Sequence, residues 1–428
     1  MLLNNQPQAS HSAAGEQSYA DRLLCLSLDI GEEILKSGGE VHRVENTIER
    51  ICQAYGAVHV EVFVITSLII ASVRMADNSY SLQTRRVYHS ANRLSCLENF
   101  NRISREICRD TPPLEEVDAR IKREKHQKGM SLWMMMACYA VIGGSFAVLF
   151  GGSLRDGGAA ILVSSVLAVI ANVRSDYINQ LAKTLLISFV AGTLSFASVW
   201  IGIGENVDMV MIGTIMLVIP GIAFGNAMRD LLCGDILAGI LKTVQSCLSA
   251  ILIAAGYSIA IFWLGKMIPS AESVASLHPG VVWIAAVLGT AGFALLFGAK
   301  LKYLPIISLL GVLTYAVFEL SLYIGFSQFL AAFLASALVT VAAESLARIF
   351  HAPTVIFLLT APVVIVPGGA LYYTMNALIM QNAEMLEIYL EKTLQISAGM
   401  AAGIMAISIL VQGFLRFSAQ MERKIVKK

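Results

Sequence analysis

The fold of this chain is decided by the stretch Ser131-Leu-Trp-Met-Met-Met-Ala-Cys-Tyr-Ala-Val-Ile-Gly-Gly-Ser-Phe-Ala-Val-Leu-Phe150, in which no residue is charged. A helix of about 20 mostly apolar residues is long enough to cross the hydrocarbon core of a bilayer. Nine further segments of this kind follow it, at residues 157–173, 183–203, 207–225, 236–264, 280–298, 304–323, 327–346, 352–374 and 394–415. We therefore predict a membrane α-helical protein with about ten transmembrane helices.

Charged residues are concentrated ahead of this stretch. Residues 1–128 hold 16 of the 31 Lys/Arg and 17 of the 30 Asp/Glu. We predict a disordered polar N-terminus over residues 1–19 and a small cytoplasmic α/β domain over residues 20–128. Within that domain, residues 58–73 favour strands with a break near Thr66-Ser67, and a turn at Asp77-Asn78 leads into a strand at 80–87. Helical spacing covers residues 21–36, 41–55, 94–109 and 113–126.

The basic residues set the predicted orientation of the membrane helices, because Lys and Arg are enriched in cytoplasmic loops. When the ten segments alternate and the basic run 121–128 is cytoplasmic, 16 Lys/Arg fall on the cytoplasmic side. The opposite side receives only 3, namely Arg155, Lys266 and Lys392. Both termini are therefore predicted to be cytoplasmic.

Two similar segments indicate an internal repeat. Leu217-Val-Ile-Pro220-Gly221 lies in the fourth predicted helix, and Val364-Ile-Val-Pro367-Gly368 lies in the ninth. Each is the fourth helix of a five-helix block, so the blocks at 129–264 and 279–417 enter the membrane from opposite sides. This arrangement is an inverted 5+5 repeat, common among secondary transporters, and a basic cytoplasmic tail follows at 418–428.

A proline–glycine pair interrupts a membrane helix, because proline lacks the backbone N–H and glycine lets another backbone approach. Irregular backbone at membrane depth is tolerated only inside protein or beside a water-filled cavity. We therefore expect the two pairs to approach one another and to form a substrate site near the midplane, although an ordinary kink or packing notch is the structural alternative. The candidate substrate-binding residues are Pro220, Gly221, Asn226, Arg229, Asp230, Pro367, Gly368, Tyr372 and Asn376.

Charged residues within the predicted helices are costly and point to function. Arg229 could bind an anionic group, and Asp230 could hold Arg229 or a substrate ammonium; an interfacial ion pair is the alternative. Glu319 and Glu344 are the candidates for proton coupling, although Glu344 could also simply pair near the membrane surface. Asp208, at the outer end of the fourth helix, is expected to stay hydrated.

The N-terminal region carries the most specific motif, Lys36-Ser-Gly-Gly39-Glu40-Val-His42-Arg43-Val-Glu45. This motif, the strand-forming segment after it and the two proline–glycine segments resemble the threonine/serine exporter family, in its fused form with both membrane halves in one chain. The resemblance covers almost the whole chain. It implies proton-motive export of small hydrophilic metabolites, threonine/serine-like amino acids, through a bacterial inner membrane. Some split relatives are linked to dicarboxylates, so a succinate-like substrate remains the alternative.

A function of another class is a membrane-anchored hydrolase or sensor, with its site in residues 20–128 around His42 and Glu45. Ten helices with an inverted repeat exceed what an anchor requires, so export is favoured. The chain has neither a nucleotide-binding G-x-x-x-x-G-K-[ST] loop nor an H-E-x-x-H metal motif. We accordingly predict no metal, no cofactor and no nucleic-acid partner, and expect a small-molecule substrate and the lipid bilayer as partners. Assembly into a homo-oligomer is left open.

Overall fold

The protein folds as two compact units, seen in a computed structural model of the full chain. The structure describes residues 18–88, 92–126, 129–173, 179–264 and 278–426. One unit comprises residues 1–91 and 99–127, and the other comprises residues 92–98 and 128–428. Residues 92–98 therefore belong with the helical unit, although they fall within the N-terminal region of the sequence. The segment predicted to be disordered lies, up to residue 17, outside the described residues.

The N-terminal region combines helices with a three-stranded antiparallel sheet in the order β1-β2-β3. Its helices are α1 (Tyr19–Lys36), α2 (Val41–Ala54), α3 (Leu94–Asp110) and α4 (Leu114–Lys125). Its strands are β1 (Ala57–Ile65), β2 (Leu68–Met75) and β3 (Tyr80–Arg86). These bounds confirm the predicted helices and strands, including the break at Thr66-Ser67 and the turn at Asp77-Asn78, where Asn78 has a φ of 65°.

The sheet is covered by the first helix. Helix α1 packs against α2, β2 and β3. Leu24, Leu28 and Ile34 on its apolar face are fully buried, as is Val73 on the central strand. Burial of this face stabilises the unit, because each large aliphatic side chain removed from water contributes about 1.5–3 kcal/mol.

The remaining described residues form mostly apolar helices of different lengths. They are α5 (Leu132–Leu149), α6 (Leu154–Asn172), α7 (Gln180–Trp200), α8 (Val207–Ile215), α9 (Gly221–Cys233), α10 (Ile236–Leu264), α11 (Pro279–Leu296), α12 (Leu304–Ile324), α13 (Gln328–Ile349), α14 (Val355–Thr360), α15 (Gly368–Ile379) and α16 (Ala383–Val426). Among the described residues, 8 helices are long and apolar enough to cross a membrane, or 9 when the bent segment 355–379 counts as one. The fourth predicted span, 207–225, is not among them, because it falls on two short helices, α8 and α9.

The fourth and ninth predicted helices are both broken at their proline–glycine pairs. Helix α8 ends at Ile215 and α9 begins at Gly221, directly after Pro220. The segment before the second break is α14 continued by a 3-10 turn at Ala361–Ile365, and α15 then begins after Pro367 at an angle of 54°. The two prolines have nearly the same backbone angles, φ −80° and ψ 38° at Pro220 and φ −75° and ψ 43° at Pro367.

Helix packing follows the same pattern in the two halves. Helices α7 and α10 pack together in the first half, and α13 and α16 pack together in the second. Ahead of each break, α8 packs against α5 and α6, and the 3-10 turn packs against α11 and α12. Beyond each break, the helix of one half packs against a helix of the other half: α9 packs against α16, and α15 packs against α10.

Candidate functional site

The two breaks lie against each other. A Cβ atom placed on Gly368 would lie 2.9 Å from Cγ2 of Ile219 and 3.1 Å from Sδ of Met216. Met216 also shares one apolar cluster with residues 363–366, ahead of the second break. The expectation that the two proline–glycine segments approach one another is therefore confirmed, and the chain places both interruptions of regular helix at one point.

An aromatic cluster lies on the α8 and α15 side of the breaks. We use this name for the rings of Tyr257, Tyr372, Tyr373 and Tyr389. Their centroids are 5.8 Å apart between Tyr257 and Tyr372, 5.3 Å between Tyr372 and Tyr373, and 4.8 Å between Tyr373 and Tyr389. Tyr257 and Tyr372 are buried, whereas Tyr373 and Tyr389 are half-buried. The cluster thus runs from the partly accessible surface of the helical unit toward its interior.

Polar groups border the aromatic cluster. The hydroxyls of Tyr257 and Thr214, the latter on α8, are 3.0 Å apart. Asp208, in the first turn of α8, is exposed and lies within electrostatic range of the phenols of Tyr372 and Tyr373. Asn376, one of the predicted binding residues, accepts a hydrogen bond of 3.4 Å from Ser258 on α10. This side of the breaks can therefore offer a carboxylate, hydroxyls and aromatic faces to a ligand.

A buried ion pair lies beyond the first break, on the α9 side. Oδ2 of Asp230 is 2.6 Å from Nζ of Lys242 on α10. The Asp230 residue is only 7% exposed, and Asn226 on the same helix is half-buried. The sequence predicts Arg229 as a possible partner of Asp230, but the side chain of Arg229 lies outside the described part of the structure. The Asp230 carboxylate and the Lys242 ammonium can bind the two charges of a zwitterionic ligand only if their ion pair first separates.

The two candidate proton-coupling residues lie on helices other than the two broken ones. Glu319 is exposed on α12, where it interacts with Tyr315 and with Lys392. Glu344 is half-buried on α13 and makes no hydrogen bond or ion pair with the described residues. Helices α12 and α13 both pack against the 3-10 turn ahead of the second break, so a coupling role could act through these helices.

The N-terminal motif is divided between packing and surface positions. A Cβ on Gly39 would lie 2.6 Å from Cγ2 and 2.8 Å from the carbonyl oxygen of Ile34, so only glycine fits there without a shift. Oε1 of Glu45 accepts a hydrogen bond of 3.1 Å from the backbone N–H of Val64. His42 is exposed, whereas Glu40 precedes α2 and Arg43 is half-buried on it. The motif therefore ties α2 to α1 and to β1. Among the described residues, no group of three His, Cys, Asp or Glu side chains could hold a metal ion.

A further buried carboxylate was not identified from the sequence. Asp156 is 2% exposed at the start of α6. Its Oδ1 accepts hydrogen bonds of 2.7 Å from the backbone N–H groups of Glu205 and Asn206, and its Oδ2 accepts from the N–H and hydroxyl of Ser153 at 2.8 and 3.0 Å. These bonds fix the loop that enters α8. The spacing Ser153-Leu-Arg-Asp156 is a capping-box pattern, which could have revealed the residue.

Comparison with known proteins gives two matches. Residues 26–263 match a family model described as "Putative threonine/serine exporter", and residues 282–410 match one described as "Threonine/Serine exporter, ThrE". No curated protein and no solved structure matches the chain. The first matched range contains the N-terminal motif and the first break, and the second contains the other break.

Proposed function

Because this chain belongs to the threonine/serine exporter family in its fused form, we propose that it exports threonine/serine-like amino acids from a bacterial cytoplasm across the inner membrane. The observation that carries the proposal is the contact between the two broken helices, where Gly368 lies against Ile219 and Met216. Transporters commonly bind substrate where half-helices meet near the membrane midplane.

The membrane helices form an inverted 5+5 repeat in this proposal. The matched backbone angles at Pro220 and Pro367 and the matched helix packing in the two halves support it. Residues 20–128 form a cytoplasmic domain, and both termini are cytoplasmic. Alternating access then arises when one half of the repeat rocks against the other around the breaks.

Proton entry drives export in this proposal, since the chain has no nucleotide-binding loop. Glu319 and Glu344 remain the candidates for carrying the proton, because they are the carboxylates within the predicted helices besides Asp208.

Purified protein reconstituted into proteoliposomes tests this function. We expect labelled threonine or serine to move when a proton gradient is imposed, and expect these amino acids to accumulate inside cells that lack the protein. Transport of succinate alone would favour a dicarboxylate exporter, and transport of none of these compounds under any gradient would refute the proposal.

The proposed topology is tested by cysteine accessibility. A cysteine replacing Ser273, in the predicted outer connection, should react with a membrane-impermeant reagent from outside. One replacing Lys428 should react only from the cytoplasmic side. Both positions lie outside the described residues, and either label appearing on the opposite side would overturn the topology.

The hydrolase alternative draws on His42 and Glu45. The Glu45 carboxylate accepts a hydrogen bond from the Val64 N–H. This bond supports a structural role for Glu45 in the domain. Full-length protein is expected to show no hydrolysis that depends on His42. Turnover lost in both His42→Ala and Glu45→Gln would favour the alternative.

A further inference from the structure

We propose that Asp208 and the aromatic cluster form a subsite for the ammonium group of the substrate, on the outer side of the two breaks. The inference rests on the proposed function and assigns one part of the substrate to named residues. The sequence predicts only a hydrated carboxylate at Asp208, because Tyr372, Tyr373 and Tyr389 lie more than a hundred residues away in the chain.

The position of Asp208 suits a ligand arriving from water. Its backbone N–H is bound by the side chain of Asn206 at 3.0 Å, so the start of α8 is capped without using the Asp208 carboxylate. Among the described residues, no Lys or Arg forms an ion pair with this carboxylate. Asp208 is exposed at the surface of the helical unit, at the predicted outer end of the fourth helix.

The neighbouring rings complete the subsite. Residues Val207, Val210 and Met211 around Asp208 pack in the same apolar cluster as Tyr372 and Tyr373. Tyrosine faces attract cations through the ring quadrupole, and a carboxylate accepts a charge-assisted hydrogen bond from an ammonium group. The Tyr373 and Tyr389 rings of the same aromatic cluster are stacked and half-buried. A primary ammonium can therefore meet one carboxylate and at least one aromatic face.

The same arrangement disfavours a dianion. A dicarboxylate would bring two negative charges toward Asp208, and like charges at short range repel unless a cation intervenes. The charge of Asp208 therefore selects for a substrate that carries an ammonium group, and its removal should weaken that selection.

Transport kinetics in proteoliposomes containing the full chain test the proposal. For threonine supplied at the outer side, Asp208→Asn should raise KM about tenfold to a hundredfold, the range expected for loss of one charge-assisted contact. Asp208→Glu should recover part of the loss. Glu205→Gln is the matched control, because Glu205 is an exposed carboxylate three positions earlier that pairs only with Arg155 at the surface.

Competition by ligands of different charge distinguishes binding from a structural effect. N-acetylthreonine, which lacks the ammonium, should inhibit wild-type protein weakly, and Asp208→Asn should leave that inhibition unchanged or strengthen it. An unchanged threonine KM in Asp208→Asn, or an equal loss of affinity for threonine and N-acetylthreonine, would overturn the subsite. If wild-type protein transports no amino acid at all, the proposed function fails instead.

Discussion

The contact between the two breaks makes Gly368 the most informative position to change. Helix α15 begins with two glycines whose surroundings differ. A Cβ on Gly368 would lie 2.9 Å from Cγ2 of Ile219, whereas a Cβ on Gly369 would meet only the ring of Phe150, at 3.8 Å. The two positions are adjacent on one helix, so they form a matched pair.

The expected magnitude follows from these distances. Carbon atoms in favourable contact are about 3.5–4.0 Å apart, so a side chain at Gly368 must displace its neighbours by roughly 0.6 Å or more. Overpacking of this kind typically costs about 1–3 kcal/mol. If the breaks separate in the other state of the transport cycle, the overpacking destabilises only the state in which they touch. Each 1.4 kcal/mol then changes the population ratio of the two states by about tenfold. Ala at Gly369 should instead stabilise the helix by up to about 1 kcal/mol.

Initial transport rates in proteoliposomes and thermal unfolding midpoints in detergent measure these effects. We expect Gly368→Ala to slow transport moderately and Gly368→Val to slow it at least tenfold, and Gly369→Ala to retain both rate and stability. The effect of Ala is expected to be moderate because the Met216 thioether can move, whereas the stiff β-branched side chain of Ile219 yields less readily. A Gly368→Val protein with the rate and midpoint of Gly369→Ala would refute the close approach of the breaks.

Three further outcomes are expected. Asp156→Ala should lower the free energy of unfolding by about 2–3 kcal/mol, because several buried N–H groups lose their acceptor. The neighbouring variant Arg155→Ala removes only an exposed ion pair and should change the free energy of unfolding by less than about 1 kcal/mol. Thermal unfolding of both variants measures the difference. Burial raises the pKa of the Cys52 thiol to about 11 from its ordinary 9.0, so the neutral thiol stabilises the fold below about pH 9 and that contribution is lost as the pH rises toward 11; maleimide should label Cys52 at neutral pH only after denaturation. Glu319→Gln should abolish transport driven by a proton gradient while leaving insertion intact, with Glu344→Gln as the second candidate; normal transport by both variants across the pH range would exclude these residues.

Hydrophobic patterning predicts most of the helices because the bilayer requirement acts on continuous stretches of chain. The proline–glycine pairs predict the two breaks for a local reason, since proline removes a hydrogen-bond donor wherever it stands. The segment 207–225 has no charged residue after Asp208, so its composition predicts one continuous span. Composition alone does not register that α8 ends at Ile215 and leaves five residues before α9 begins.

The side-chain arrangement around the breaks is harder to predict, because it depends on packing between distant helices. Tyr257, Tyr372 and Tyr389 come from three separate helices, and nothing in their local sequence indicates that the rings meet. The sequence likewise predicts the neighbouring residue Arg229 as the ion-pair partner of Asp230. In the structure Lys242 reaches it from α10, twelve residues away.

The nearly equal backbone angles at Pro220 and Pro367 have a consequence for the direction of transport. If backbone geometry is the same at both hinges, the main chain by itself does not distinguish inside from outside. The half-helices that follow the two breaks differ instead in their side chains, since one carries Asp230 and the other carries Tyr372 and Tyr373. If the proposed inverted repeat is correct, these side chains are where the two sides of the breaks differ in charge and in aromatic character.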